Sequence, residues 1–277
     1  MLIAIGVFLW RFTHKENVQV QTTPITEQST QLAPITEDVE TTEELRFDVD
    51  AIANRLAEWG NSINGTAGVV ISDGDDGSLI ATLNPDEVFF AASIYKLYVA
   101  YEGYRQIDAG QADPDEVYLG EFTRLECLDK MIRESDSPCA EKLWNELGKE
   151  ETTSQLQTYG INNTSMTSIT TTAADAAIML VRIAQGEGLS EQSQQLFLQS
   201  MEDQIYRDTL NNSFAEATFG DTFVVQNKIG FRELDEYHDT AIIQLPDTDR
   251  TLIMSVMTSN VGTNNIVRLG EAIKSAL

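Results

Sequence analysis

Ser93 and Lys96 stand three residues apart at the start of a long apolar run that begins at Phe89. On a helix, positions i and i+3 share a face, so this spacing brings the Lys96 amine within reach of the Ser93 hydroxyl. A serine hydroxyl is a weak nucleophile until a base takes its proton, and a lysine becomes that base when burial and neighbouring cations lower its pKa. A serine at a helix N-terminus also lies beside backbone N–H groups that hold a developing oxyanion. The chemistry indicated is acyl transfer to a serine. His238 followed by Asp239 suggests a competing Ser93–His238–Asp239 triad, but a single histidine in an alternating strand is more often packed or hydrogen-bonded.

The rest of the composition removes other classes. Two cysteines, Cys127 and Cys139, and two histidines, His14 and His238, with no Cys-x-x-Cys pair, are poor material for a zinc site. No metal or cofactor is expected. In an exported protein the two cysteines read as one disulfide, and in the cytosol as free buried thiols. The run Asp73-Gly74-Asp75-Asp76-Gly77 lacks the spaced ligands and distal glutamate of a calcium loop and reads as a solvated turn. Eighteen Lys plus Arg against 44 Asp plus Glu gives a formal charge of -26, which repels nucleic-acid phosphates and anionic lipid alike. A length of 277 residues, 42% of them hydrophobic, suffices for a substantial core. Met179, Phe197, Met201 and Phe214 are assigned to that core rather than to a cofactor.

The elements that must position these residues follow from periodicity. Met1 to Trp10 is uninterruptedly apolar, about half the roughly 20 residues a bilayer span needs, and is read as the tail of a membrane anchor over residues 1–12. Residues 13–44, rich in Thr, Gln and Glu, read as a linker, and 45–277 as the folded domain. Leu45, Ile52, Leu56 and Trp59 fall on one face of a helix ending at Gly60, and a hairpin follows, Thr66 to Ile71 and Leu79 to Leu83. From Ala91 to about Leu210 the pattern is mostly helical, with breaks near Gly110 to Asp115, Ser135 to Pro138, Gly160 to Thr171 and Gly186 to Gly188 and no clear strand. Thr222 to Lys228, Tyr237 to Leu245 and Thr251 to Met257 are strand-like, and Asn265 to Leu277 is an amphipathic helix. Short connections make the last strands antiparallel neighbours, so strands from both ends form one sheet beside a helical lobe.

The run Phe90-Ala91-Ala92-Ser93-Ile94-Tyr95-Lys96-Leu97 resembles the nucleophile motif of the serine beta-lactamase and penicillin-binding protein superfamily, in particular its class A beta-lactamase-like branch. That family carries a Ser-Asp-Asn motif in its helical lobe and a Lys-Thr/Ser-Gly motif on a strand. Ser135-Asp136-Ser137, 42 residues after Ser93, and Lys228-Ile229-Gly230, 93 residues further at the end of a strand, stand in the same order. The resemblance covers residues 45 to 277. It implies an α/β fold, an α/β/α sandwich with a five-stranded antiparallel sheet plus an all-helical lobe, and an active site between the two.

By the same resemblance Ser93 is the acylated nucleophile and Lys96 its base. Ser135 passes a proton to the leaving nitrogen. Lys228 supplies positive charge for a substrate carboxylate and depresses the Lys96 pKa. The backbone N–H groups of Ser93 and Phe231 form the oxyanion hole, Asp136 orients its loop, and Ser137, Ile229 and Gly230 line the substrate site. A disulfide between Cys127 and Cys139 fixes the loop of Ser135. The implied protein is an extracytoplasmic, membrane-anchored or secreted monomer whose partner is a beta-lactam or a cell-wall peptide. Ser137 replaces an amide with a hydroxyl, Ile229 replaces the family's hydroxyl, and the stretch from Gly160 to Thr172 lacks the deacylating glutamate of class A enzymes. The alternative is an impaired pseudoenzyme that binds peptidoglycan or a protein.

Overall fold

The computed structural model describes residues 47–206, 214–232, 236–246 and 248–277. The anchor and linker readings, Leu45 and the end of the helical stretch at Leu210 lie outside those residues. Helix α1 (Val49–Ser62) is capped by Asp48, whose carboxylate accepts the Ala51 N–H, and buries Ile52, Leu56 and Trp59 on one face. It runs through Gly60 to Ser62, because Trp59 stays anchored beyond that point by its Nε1–H bond to the Asn265 carbonyl (2.7 Å).

Strands β1 (Thr66–Asp73) and β2 (Leu79–Leu83) form the expected hairpin. The Asp-rich turn between them is occupied by protein partners: Asp73 accepts the Asp75 N–H and pairs with Arg250, both at 2.9 Å. A short strand β3 (Phe89–Phe90) leads into a 3-10 turn (Ala92–Ile94) and helix α2 (Tyr95–Asp108). Ten consecutive residues of α2, Tyr95 to Tyr104, are buried, so it is the central helix of the helical lobe. Around it lie α3 (Arg124–Arg133), α4 (Ser137–Leu147), α5 (Lys149–Gln157), α6 (Ala173–Ala184) and α7 (Glu191–Glu202).

The expectation that no clear strand interrupts this mostly helical stretch is corrected by two small ladders. Strands β4 (Val117–Leu119) and β5 (Phe122–Thr123) pair with each other, and β6 (Thr170–Thr171) pairs with β3. Strands of two or three residues carry no period that a sequence window detects. The chain closes with α8 (Phe214–Phe219), β7 (Val224–Arg232), β8 (Glu236–Gln244), β9 (Thr251–Ser259) and α9 (Thr263–Lys274).

The five long strands form one antiparallel sheet in the order β2-β1-β9-β8-β7. Alternation along the strands buries both faces. Val69, Ile71, Leu252, Met254 and Val256 pack against α1, α8 and α9, whereas Val70, Ile253 and Met257 join the core of α2, α3 and α6. Met179, Phe197 and Met201 lie in the second core and Phe214 in the first. The result is the expected α/β/α sandwich with a helical lobe beside it. Lys228 lies inside β7 rather than at its end, paired with Thr240, because the strand continues four residues further to Arg232.

Candidate active site

The turn that carries Ser93 is built against its local preferences. Ala92 has φ +43°, a left-handed conformation uncommon for a residue with a Cβ, and it immediately precedes Ser93. Neighbouring backbone holds it: the Ala91 N–H donates to the Ile169 carbonyl (2.7 Å), and the Ile94 N–H donates to the Ala91 carbonyl (2.9 Å). Ser93 is half-buried on this turn, one helical turn before the buried Lys96. Strand β7 touches the turn from the sheet side at Gly230. A Cβ added there would lie 3.1 Å from both the Ala91 carbonyl oxygen and the Ile94 nitrogen. This contact places Phe231, a residue 46% exposed, beside the turn that carries Ser93.

The second motif sits on a tight turn between α3 and α4. Ser135 is left-handed at φ +55°, and Asp136 caps α4 by accepting the Cys139 N–H at 2.8 Å. Asp136 thus orients the loop. The disulfide between Cys127 on α3 and Cys139 on α4 closes this turn across 12 residues. A loop of that size restrains the unfolded chain by about 3 kcal/mol. Reduction, or Cys139→Ser, is therefore expected to lower the unfolding free energy obtained from urea titration by that order and to slow any reaction that needs Ser135, read by the same assay before and after dithiothreitol.

Three motifs meet at one hydroxyl. Lys96 Nζ donates to the Ser135 carbonyl (2.5 Å), to Ser137 Oγ (3.2 Å) and to Ser135 Oγ (3.3 Å). Lys228 Nζ donates to the same Ser135 Oγ at 3.0 Å and to the Ile229 carbonyl at 3.0 Å. Burial lowers the Lys96 pKa to about 8, against the raising influence of Asp136 and Glu141. Lys228 is pushed well below the ordinary lysine value, by burial first and then by the Lys96 charge. Ile229 is 3% exposed and carries no polar side-chain atom.

His238 does not complete a triad. Its Nε2 donates to the Phe90 carbonyl (2.8 Å) and its Nδ1 accepts the Thr258 N–H (3.1 Å), while Asp239 accepts from Asn227 Nδ2 (2.8 Å). Adjacent strand residues face opposite sides of the sheet, which separates the pair. Burial lowers the His238 pKa to about 4. The unfolded chain protonates this histidine near pH 6.5 and the native state near 4, so stability is lost as pH falls through that window, by about 3 kcal/mol. Urea unfolding at about pH 7 and pH 4.5 should show a smaller drop for His238→Gln than for the parent.

The stretch from Gly160 to Thr172 lies against the nucleophile turn through the β3–β6 ladder, in which Phe90 pairs with Thr170. The carboxylate beneath it, Asp175, is 2% exposed and accepts from the Asn163 N–H (2.8 Å) and from Thr164 Oγ1 (2.7 Å). Tyr98 and Thr164 both bond Thr171 Oγ1, at 2.6 and 2.8 Å, so the network is internal. It supports the turn and leaves no carboxylate of its own directed at Ser93. The sequence showed neither this network nor the strain at Ala92 and Ser135, since backbone angles carry no signature in residues other than glycine.

The profile of the beta-lactamase enzyme family, Beta-lactamase2, matches residues 51–121 and 118–277. No curated protein matches the chain. Among solved structures, a beta-lactamase from Xanthomonas campestris pv. campestris is 20% identical with a TM-score of 0.72, over 82% of this chain and 97% of that one. An ancestral class A beta-lactamase is 22% identical with a TM-score of 0.70, over 82% and 100%. A mutant of PBP-A, solved as an acyl-enzyme complex with penicillin G, is 22% identical with a TM-score of 0.71, over 83% and 97%. These structures share the fold, and the profile spans both lobes and all three motifs. The chain belongs to the beta-lactamase enzyme family.

Proposed function

We propose that this chain is an extracytoplasmic serine acyl hydrolase that forms a covalent acyl-enzyme on Ser93, with a beta-lactam or the D-alanyl-D-alanine end of a cell-wall peptide as substrate. The observation that carries this reading is the convergence of Lys96 and Lys228 on Ser135 Oγ, beside a strained turn bearing Ser93. Neutral Lys96 takes the Ser93 proton as Oγ attacks the carbonyl carbon, and the electron pair of the carbonyl moves onto oxygen. The N–H groups of Ser93 and Phe231 hold that oxyanion. Collapse of the tetrahedral intermediate breaks the carbon–nitrogen bond; Ser135 delivers its proton to the departing nitrogen and regains one from the Lys96 ammonium bonded to it, which leaves Lys96 neutral again.

Water activation for the second half-reaction has no carboxylate in the Gly160–Thr172 stretch, which supports a long-lived acyl-enzyme. The acyl-enzyme of PBP-A with penicillin G supports a penicillin as probe. The disulfide supports an oxidising compartment outside the cytoplasm. A generic activated ester separates this reading from a binding module. Acyl release that is lost in Ser93→Ala is the expected result, and equal release by the parent and Ser93→Ala rejects it.

A further inference from the structure

The sheet ends on β7, and one side chain covers part of that open edge. Gln204, two residues past α7, is 1% exposed. Its amide donates to the Asn227 carbonyl (3.1 Å) and to Asn227 Oδ1 (2.9 Å), while its Oε1 accepts the Ile229 N–H (3.2 Å). A single side-chain amide thus stands in for a neighbouring strand at residues 227 and 229. Outward-facing backbone groups recur at every second residue of an edge strand, so the same edge next presents the N–H of Phe231. Among the described residues, the coverage that Gln204 provides ends at Ile229, two residues before the candidate oxyanion donor.

The neighbouring residue reaches the other lobe. The Ile205 N–H donates to the Arg133 carbonyl (3.0 Å) at the end of α3, two residues before Ser135. Two consecutive residues therefore join the turn bearing the second motif to the strand bearing the third. Among the described residues, sheet pairing does not set this spacing, because β7 pairs with β8 along its opposite edge and with no strand on the side toward α3. Lys228 is completely buried with a disfavoured charge, so its contact to Ser135 depends on where the strand backbone is held.

We propose that Gln204 is a positioning residue whose bonds to Asn227 and Ile229, with the adjoining Ile205–Arg133 bond, hold Lys228 in hydrogen-bond contact with Ser135. Its kinetic consequence rests on the reading of Ser93 as the acylated nucleophile, whereas its geometric consequence does not.

The test compares the parent with Gln204→Met, which keeps the length of the side chain and removes its amide. Crystal structures of the two are expected to show Lys228 Nζ withdrawn from Ser135 Oγ in the variant. Acylation by a penicillin, followed by intact mass and normalised to the final adduct, should slow at least about tenfold. A purely structural glutamine would lower stability and leave the rate of the folded fraction unchanged. An unchanged Lys228–Ser135 contact, or an unchanged normalised rate, overturns the proposal. Should Gln204→Met fail to fold, Gln204→Asn, one methylene too short to span both residues, carries the same expectations. A parent that takes no acyl group rejects the functional reading, and the crystal structures still decide the role of Gln204.

Discussion

Lys96→Met is expected to slow acylation of Ser93 by about a thousandfold, the midrange of what a positioned general base contributes. Methionine preserves the length and burial of the side chain, so the packing around α2, where Lys96 is 1% exposed, is retained. The amine is lost from a site where it is bonded to Ser135 and Ser137. The parent carries a pH signature as well. A base must be neutral, and with a Lys96 pKa of about 8 its neutral fraction falls about tenfold per pH unit below that value. The acylation rate of the parent should therefore climb to about pH 8 and level off, while the residual rate of Lys96→Met should lose this limb. A variant that keeps the rate, or keeps the limb, would assign the base elsewhere.

Gly230→Val should cost about a hundredfold in acylation with a smaller effect on stability. Even a bare Cβ at this position meets Ile94 Cγ1 at 3.0 Å and the Ala91 and Ile94 backbone at 3.1 Å, closer than ordinary van der Waals contact. The branched side chain must push β7 away from the turn carrying Ser93, and Phe231 follows Gly230 directly. A displacement of about 1 Å between a nucleophile and its oxyanion donor is enough for a loss of that size. Stopped-flow acylation alongside thermal unfolding separates the two effects. Near-normal acylation by a folded Gly230→Val would remove the β7 contact from the account of the site.

The sequence revealed those parts of the molecule in which side-chain type and position answer to the same constraint. The hairpin β1–β2 and strands β8 and β9 showed themselves by apolar runs bounded by turns, and α1 by the spacing of Ile52, Leu56 and Trp59. Ser93, Ser135 and Lys228 were recognisable because each sits in a short local motif. The sequence hid what depends on long-range contact. The β3–β6 ladder joins residues about 80 apart in the chain by two pairs, and neither partner has a strand pattern. Lys228 was expected at a strand end because the apolar run stops there, yet β7 continues through Gly230, whose lack of a side chain admits the nucleophile turn. Gln204 carried no signal at all, being an ordinary polar residue after a helix until the fold buries it against β7.

The electrostatics of the two lysines were likewise hidden. Motif spacing places two amines in one site, and burial pushes both below the ordinary lysine value, with Asp136 and Glu141 opposing the shift at Lys96. Both amines donate to the Ser135 hydroxyl.

The most direct test of the central claim is a time course of intact mass for the oxidised protein mixed with a penicillin, beside Ser93→Ala and with the free drug assayed in parallel. The account predicts an adduct of the drug's mass that maps to Ser93 and persists while little drug is consumed, with no adduct on Ser93→Ala. An adduct that forms equally on Ser93→Ala, or neither adduct nor drug loss with the parent, would contradict it.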